Sequence, residues 1–361
     1  MTAVAQTPIS MTGRDRLLAA ARGEPVDVTP VWYMRQAGRC LPEYRALRER
    51  HPFMEVAHTP DLAVEATLMP VERFGVDGAV LFADIMLPLG GMGVPFRMEP
   101  KVGPVIDAPI RTRADVERIV IADADEATGY VMDALRLLRR ELGGRAAALG
   151  FSGAPFTLAC YLIEGHGSRE YPRAKALMYG DPETWHLLMA KLTEVVTRYL
   201  TAQIAAGADA VQLFDSWLGL LGTEAYREFV APYTTRIFAA LRSLAPTIHF
   251  STGTTHLLDQ IAATGPDLVS VDWRLPLDEA WSRLAPGQGI QGNLDPTLLM
   301  GGWDVTRRAA EDILRRTAGR SGHIFNLGHG ILPETDPDVL TQLTAYVHGA
   351  GAPFEVDQAG N

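Results

Sequence analysis

Residues 207–216 read Gly207-Ala208-Asp209-Ala210-Val211-Gln212-Leu213-Phe214-Asp215-Ser216. The small and branched run over 208–213 is bounded by glycine before it and aspartate-serine after it, as a buried strand with turn residues at its ends should be. Helical patterns flank it on both sides. The one at 181–206 opens with Asp181-Pro182, an aspartate cap followed by proline at the first helical position; the other covers 224–243. The stretch is therefore one unit of a β–α alternation. Seven further runs of this kind occur at 28–33, 78–83, 146–151, 246–250, 267–271, 288–292 and 323–327. Between them lie helical patterns at 61–74, 127–142, 254–263, 276–284, 304–317 and 336–348.

Eight strand–helix alternations predict an α/β chain folded as a single (β/α)8 TIM barrel. An open doubly wound sheet is the runner-up, lowered because no Gly-x-Gly-x-x-Gly follows an early strand. Residues 90–109, opening Gly90-Gly91-Met92-Gly93, read as a small β-hairpin inserted after the second strand. The expected limits are a barrel domain over 12–348, an N-terminal tail over 1–11 and a C-terminal tail over 349–361.

Composition narrows the function classes. The 361 residues carry a net charge of −10, which argues against a nucleic-acid partner. No apolar run approaches the ~18 residues of a membrane span, and no basic-then-apolar leader opens the chain. Two cysteines, Cys40 and Cys160, form neither a disulfide framework nor a metal-ligand spacing. The expectation is a reducing, cytoplasmic setting. Of 33 basic residues only three are lysines, Lys101, Lys175 and Lys191, and none falls at an expected strand end. Schiff-base chemistry has no obvious nucleophile here.

Barrel enzymes place their functional side chains at the C-terminal ends of the strands. Here those ends carry Arg35 and Arg39, Asp84, Ser152 and Gly153, Asp215 and Ser216, Thr252 and Gly253, Asp272, Asn293 and Asp295, and His329. The first is the most pointed. Pro30-Val31-Trp32-Tyr33-Met34 breaks directly into Arg35-Gln36-Ala37-Gly38-Arg39. Two planar, permanently charged guanidinium groups on a small-residue loop suit an anion clamp; the same spacing also fits two surface arginines.

The segment from Pro30 through Arg45 resembles the N-terminal motif of the uroporphyrinogen decarboxylase family, and Gly150–Tyr161 resembles that family's other motif. Further matches, in the family's order, are Leu81-Phe82-Ala83-Asp84-Ile85, Gln212-Leu213-Phe214-Asp215-Ser216, Gln291-Gly292-Asn293-Leu294-Asp295-Pro296 and Asn326-Leu327-Gly328-His329-Gly330. Together they span roughly residues 12 to 348. The resemblance implies a homodimeric carboxy-lyase that removes the four acetate carboxyls of uroporphyrinogen III, a tetrapyrrole of haem biosynthesis, to give coproporphyrinogen III. A pyrrole can act as its own electron sink by accepting a proton on an α-carbon, so no cofactor is needed in principle.

The resemblance also implies roles. Asp84 would accept hydrogen bonds from pyrrole N–H groups and stabilise the ring cation; the bland alternative is a turn cap. Arg35 and Arg39 would bind substrate carboxylates, with backbone N–H groups of Gln36, Ala37 and Gly38 assisting. Arg35 is also a candidate proton donor, although a guanidinium with a pKa above ~12 is a poor general acid. Tyr161 and Ser216 would donate to substrate groups, Phe214 would shape an apolar wall, and His329 could supply a proton or bind a propionate as imidazolium. Asp272, Asn293 and Asp295 read as structural. Cys40 stands where the family commonly has an aromatic residue, and Trp217 where a smaller or polar one is expected.

Two competitors remain. Zinc-dependent corrinoid methyltransferases share such a barrel, but neither cysteine here has a histidine at the required His-x-Cys spacing. A catalytically dead tetrapyrrole carrier would be marked by loss of Asp84 or the arginine pair, and all three are present.

Overall fold

The protein was analysed as a computed structural model, which describes residues 10–99 and 102–350. The expected tails fall almost wholly outside the described residues, as does Lys101.

Seven parallel strands form one curled sheet in strict chain order: β1 (Gly78–Val80), β4 (Ala147–Gly153), β5 (Ala210–Asp215), β6 (Thr247–Ser251), β7 (Leu268–Ser270), β8 (Gly289–Leu294) and β9 (His323–Leu327). Between β1 and β4 stands an antiparallel pair, β2 (Phe96–Glu99) and β3 (Gly103–Ile106). Every residue of β4, β6, β7, β8 and β9 is buried, as expected of parallel strands covered on both faces. Helices such as Pro60–Phe74, Ala124–Leu142, Pro182–Ala205 and Trp303–Thr317 supply the covering layer.

The expected strand at 28–33 is not a strand. Its one ladder contact is a parallel bridge from Val31 to Phe325 of β9. Pro30 has no N–H to donate, though its carbonyl accepts from Phe325 N–H at 2.8 Å. On the other side Asp77 N–H donates to the Val31 carbonyl at 2.7 Å. The return bond from Val31 N–H goes to the Asp77 carboxylate instead of a backbone carbonyl. This extended segment thus touches both edges of the sheet, next to β1 and at β9, before the chain turns away after Tyr33.

The helical pattern at 224–243 is also corrected. It divides into Thr223–Phe229 and Ala231–Leu241 at Val230, whose φ/ψ of −130°/−53° is non-helical. Pro232 sits just inside the second helix, where its missing N–H and its ring would clash with a continuous helix.

Inside the curl a polar chain crosses the sheet. Trp32 Nε1 donates to Gln291 Oε1 at 2.9 Å, and Gln291 Nε2 donates to Gln212 Oε1 and Ser270 Oγ, each at 2.9 Å. This ties the Pro30–Trp32 segment to three strands below the strand ends where the candidate site lies.

Candidate active site

The arginine loop is built on buried hydrogen bonds. Gln36 is fully buried; its Oε1 accepts from Tyr33 N–H at 2.9 Å and its Nε2 donates to the Gly78 carbonyl at 2.8 Å. Its own N–H donates to the Tyr33 carbonyl. The backbone N–H of Gln36 is therefore engaged within the loop, and its side chain anchors the loop to β1. Asn326 at the end of β9 holds the next residue, its Oδ1 accepting from Met34 N–H at 3.0 Å, while Ile331 N–H donates to the Met34 carbonyl at 2.9 Å. Between these anchors Arg35 adopts the left-handed region, φ 63°, a conformation that costs a non-glycine residue about 1–2 kcal/mol. Gly38 permits the turn, since a Cβ there would stand 2.6 Å from the Arg35 carbonyl oxygen. Ala37 and Gly38 are partly exposed, and Arg39 is exposed at the loop's far end.

Arg35 folds back across the loop that leaves β9. A Cβ on Gly330 would lie 2.4 Å from Arg35 Cδ and 3.0 Å from its Nε. The glycines around His329 thus make room: Gly328 does the same for Trp273, whose backbone nitrogen would be 2.8 Å from an added Cβ.

Asp84 follows β1 in the turn that leads into the helix Leu87–Gly91. One carboxylate oxygen accepts from Met86 N–H at 2.8 Å. Among the described residues no other group donates to this carboxylate, so its second oxygen is uncommitted. The turn-cap reading and the catalytic reading thus use different oxygens of one side chain. Burial raises the Asp84 carboxyl above the usual carboxylate range, opposed by the Met86 N–H and by the charge of Arg35.

An aromatic wall rises beside it. Tyr161, on the helix Pro155–Glu164, packs edge-on against Tyr171 and Trp217 at centroid distances of 6.0 and 6.2 Å. Burial pushes its phenol up, so it is a hydrogen-bond donor at neutral pH. Phe214 packs against Phe151 at 5.4 Å and Phe250 at 5.5 Å, and Phe250 meets His329 at 6.1 Å. Ser216 lies in the turn after β5, partly buried, and its hydroxyl has no partner among the described residues. Its neighbour Asp215 is fixed by Thr157 Oγ1 at 2.8 Å.

His329 is pushed down to about 4, chiefly by burial and then by the charges of Arg35 and Arg274. That shift favours the neutral imidazole, one of the two states that the sequence left open. Arg274, in the loop after β7, was not singled out in the sequence; it stands two residues beyond Asp272, which reads as structural. Asp272 does take that structural role: it accepts from Gly253 N–H at 2.6 Å and from Arg274 Nη1 at 2.5 Å. Asn293 donates to the carbonyls of Asp272 and Leu275, and Asp295 caps the turn at Thr297. The charge of Arg35 thus acts on both Asp84 and His329. Tyr161 belongs with them, for its hydroxyl feels both Asp84 and Arg35. Arg39 makes no side-chain contact with this group among the described residues.

Among the described residues no three His, Cys, Asp or Glu side chains converge as a metal-ligand set, and no helix is long and apolar enough to cross a membrane. Among solved structures, a methyltransferase from Methanosarcina mazei superposes with a TM-score of 0.78 over 95% of this chain and 100% of its own. At 22% identity that likeness concerns the fold alone. Relatives by sequence are nearer. A uroporphyrinogen decarboxylase from Sorangium cellulosum is 51% identical over 335 residues, covering 92% of this chain and 96% of that protein. One from Thermobifida fusca is 52% identical over 332 residues, covering 92% and 91%. The uroporphyrinogen decarboxylase (URO-D) family pattern matches residues 12–350. The chain belongs to the uroporphyrinogen decarboxylase family.

Proposed function

We infer that the chain is a carboxy-lyase that converts uroporphyrinogen III to coproporphyrinogen III by releasing its four acetate carboxyls as CO2. The observation that carries this reading is the uncommitted oxygen of Asp84, held beside the fixed charge of Arg35. An anion needing a donor sits next to a cation needing an anion, which suits a substrate offering both pyrrole N–H groups and carboxylates.

The chemistry balances without an external electron carrier. A proton adds to an α-carbon of one pyrrole, which becomes a cation paired with Asp84. The bond between the acetate methylene and its carboxylate then breaks. CO2 leaves, and the electron pair forms an exocyclic C=C bond that neutralises the ring. Protonation of that methylene carbon and loss of the α-carbon proton leave a methyl group, so one proton replaces one CO2. Arg35 orients the departing carboxylate, with Arg39 and the N–H groups of Ala37 and Gly38 serving others at the loop. Arg35 also delivers the ring proton once Asp84 has made the carbon basic. Tyr161 and Ser216 donate to substrate oxygens, neutral His329 donates or accepts at the wall, and Phe214 keeps the site dry, which strengthens each electrostatic contact.

The reading includes a sheet closed as a (β/α)8 barrel, with Pro30–Trp32 as the eighth stave and β2–β3 as the inserted hairpin. It also includes one catalytic domain over 12–348, a cytoplasmic homodimer, and no cofactor. The test is anaerobic incubation with uroporphyrinogen III, followed by oxidation and separation of products by carboxyl number. Porphyrins with seven, six, five and finally four carboxyls are expected. Bound substrate that keeps all eight would instead favour a carrier.

A further inference from the structure

We propose that Arg274 is a further carboxylate anchor of the bowl, holding a carboxylate on a pyrrole ring other than the one reacting. The inference rests on the activity proposed above and assigns a residue to it.

Four observations converge. Arg274 lies in the loop that leaves the C-terminal end of β7, as Asp84 lies in the turn that leaves β1. The loop leaving β9 is packed on one side against Trp273, through Gly328, and on the other against Arg35, through Gly330. Arg274 follows Trp273 in the chain, and its charge, like that of Arg35, reaches the His329 imidazole.

The guanidinium is held in place. Nη1 donates to Asp272 Oδ2 at 2.5 Å and to Thr252 Oγ1 at 3.3 Å, and the group lies over the Trp273 ring at 4.7 Å. These contacts occupy one nitrogen. Among the described residues nothing accepts from Nε or Nη2, the pair of donors whose spacing matches the two oxygens of a carboxylate.

Asp272 does not compete for that edge. Its Oδ2 also accepts from Gly253 N–H and Thr252 Oγ1, and its Oδ1 accepts from Arg274 N–H at 3.0 Å. It is a fixed counter-ion that orients the arginine, and a half-exposed, pre-organised fork faces outward.

Finally, Asp84 follows β1 and Arg274 follows β7, four places along in the strand order of the sheet. The ring cation forms at Asp84, so a carboxylate on Arg274 belongs to a different ring and stays attached throughout the step. An interaction equally strong in ground and transition states changes KM and leaves kcat alone.

The experiment is steady-state kinetics on uroporphyrinogen III with the unaltered chain, Arg274→Gln and Arg274→Lys, with thermal melts of each. The expected result is a KM raised about tenfold or more in Arg274→Gln, with kcat changed by less than about twofold. Arg274→Lys keeps the charge and the Asp272 ion pair, so it folds even if the glutamine variant does not. Lacking the planar fork, it still shows a raised KM. An unchanged KM in the folded variants, or a loss confined to kcat, overturns the proposal while the activity stands. No turnover by the unaltered chain brings down the activity reading and this proposal with it.

Discussion

Arg35 lies folded over Gly330, whose missing side chain leaves the space that the arginine's Cδ and Cγ fill; an added Cβ would stand 2.4 and 2.8 Å from them. Two loops far apart in the chain, one leaving Tyr33 and the other leaving β9, thereby set the direction of one guanidinium. The left-handed backbone of Arg35 and the Asn326 bond to Met34 serve the same end.

Gly330→Ala is expected to displace Arg35 without unfolding the chain, because the clash is with a side chain and Gly330 has no left-handed φ. Activity should fall about a hundredfold, the scale of a misplacement near 1 Å, while the melting temperature barely moves. Arg35→Ala provides the check: combined with Gly330→Ala it should add little, since both remove the same interaction. Additive losses would show that Gly330 matters for another reason.

His323 gives the fold a pH dependence separate from catalysis. It is buried, donates through Nε2 to the Gly292 carbonyl at 2.9 Å, and is pushed down to about 4 by burial. Its unfolded value lies near 6.5. Between those two values the unfolded chain binds a proton that the folded chain refuses. Its stabilising contribution is therefore intact above about pH 6.5 and lost as pH falls toward 4. From pH 7 to pH 5 the loss should be about 2 kcal/mol. Urea unfolding of wild type and His323→Gln at both pH values should show a smaller drop in the variant.

Asp77 carries stability rather than chemistry. It precedes β1 and accepts from Arg16 Nη1 at 2.5 Å, Val31 N–H at 2.8 Å and His348 Nε2 at 2.8 Å. Asp77→Ala strands a largely buried guanidinium and a buried N–H, although Arg16 keeps its bonds to Asp27. The expected cost is about 3 kcal/mol, read from denaturant unfolding, with activity per folded molecule unchanged.

Much of this was legible in the sequence, and what was not has physical causes. Strands such as 323–327 and helices such as 304–317 announce themselves through local composition and period. The exception at 28–33 arises because Val31 N–H is satisfied by Asp77, a residue 46 positions away. Likewise, Pro232 was visible, but the break at Val230 was subsumed in a continuous apolar pattern. At the site, Asp84, Arg35 and His329 stand out as polar residues at strand ends. Gly330 and Arg274 do not, because their meaning depends on side chains from other strands. For Gln36 the converse holds: nothing local reveals that its backbone N–H turns back to Tyr33 while its side chain reaches Gly78.

The most direct test of the account is the replacement of Asp84 by asparagine, which keeps the size of the side chain and the Met86 hydrogen bond but removes the charge. Turnover of uroporphyrinogen III under anaerobic conditions should be compared with substrate binding and with the thermal melt. The account expects a folded protein that still binds substrate yet leaves nearly all of it with eight carboxyls. Near-normal appearance of the four-carboxyl product would contradict the cation-stabilising role of Asp84.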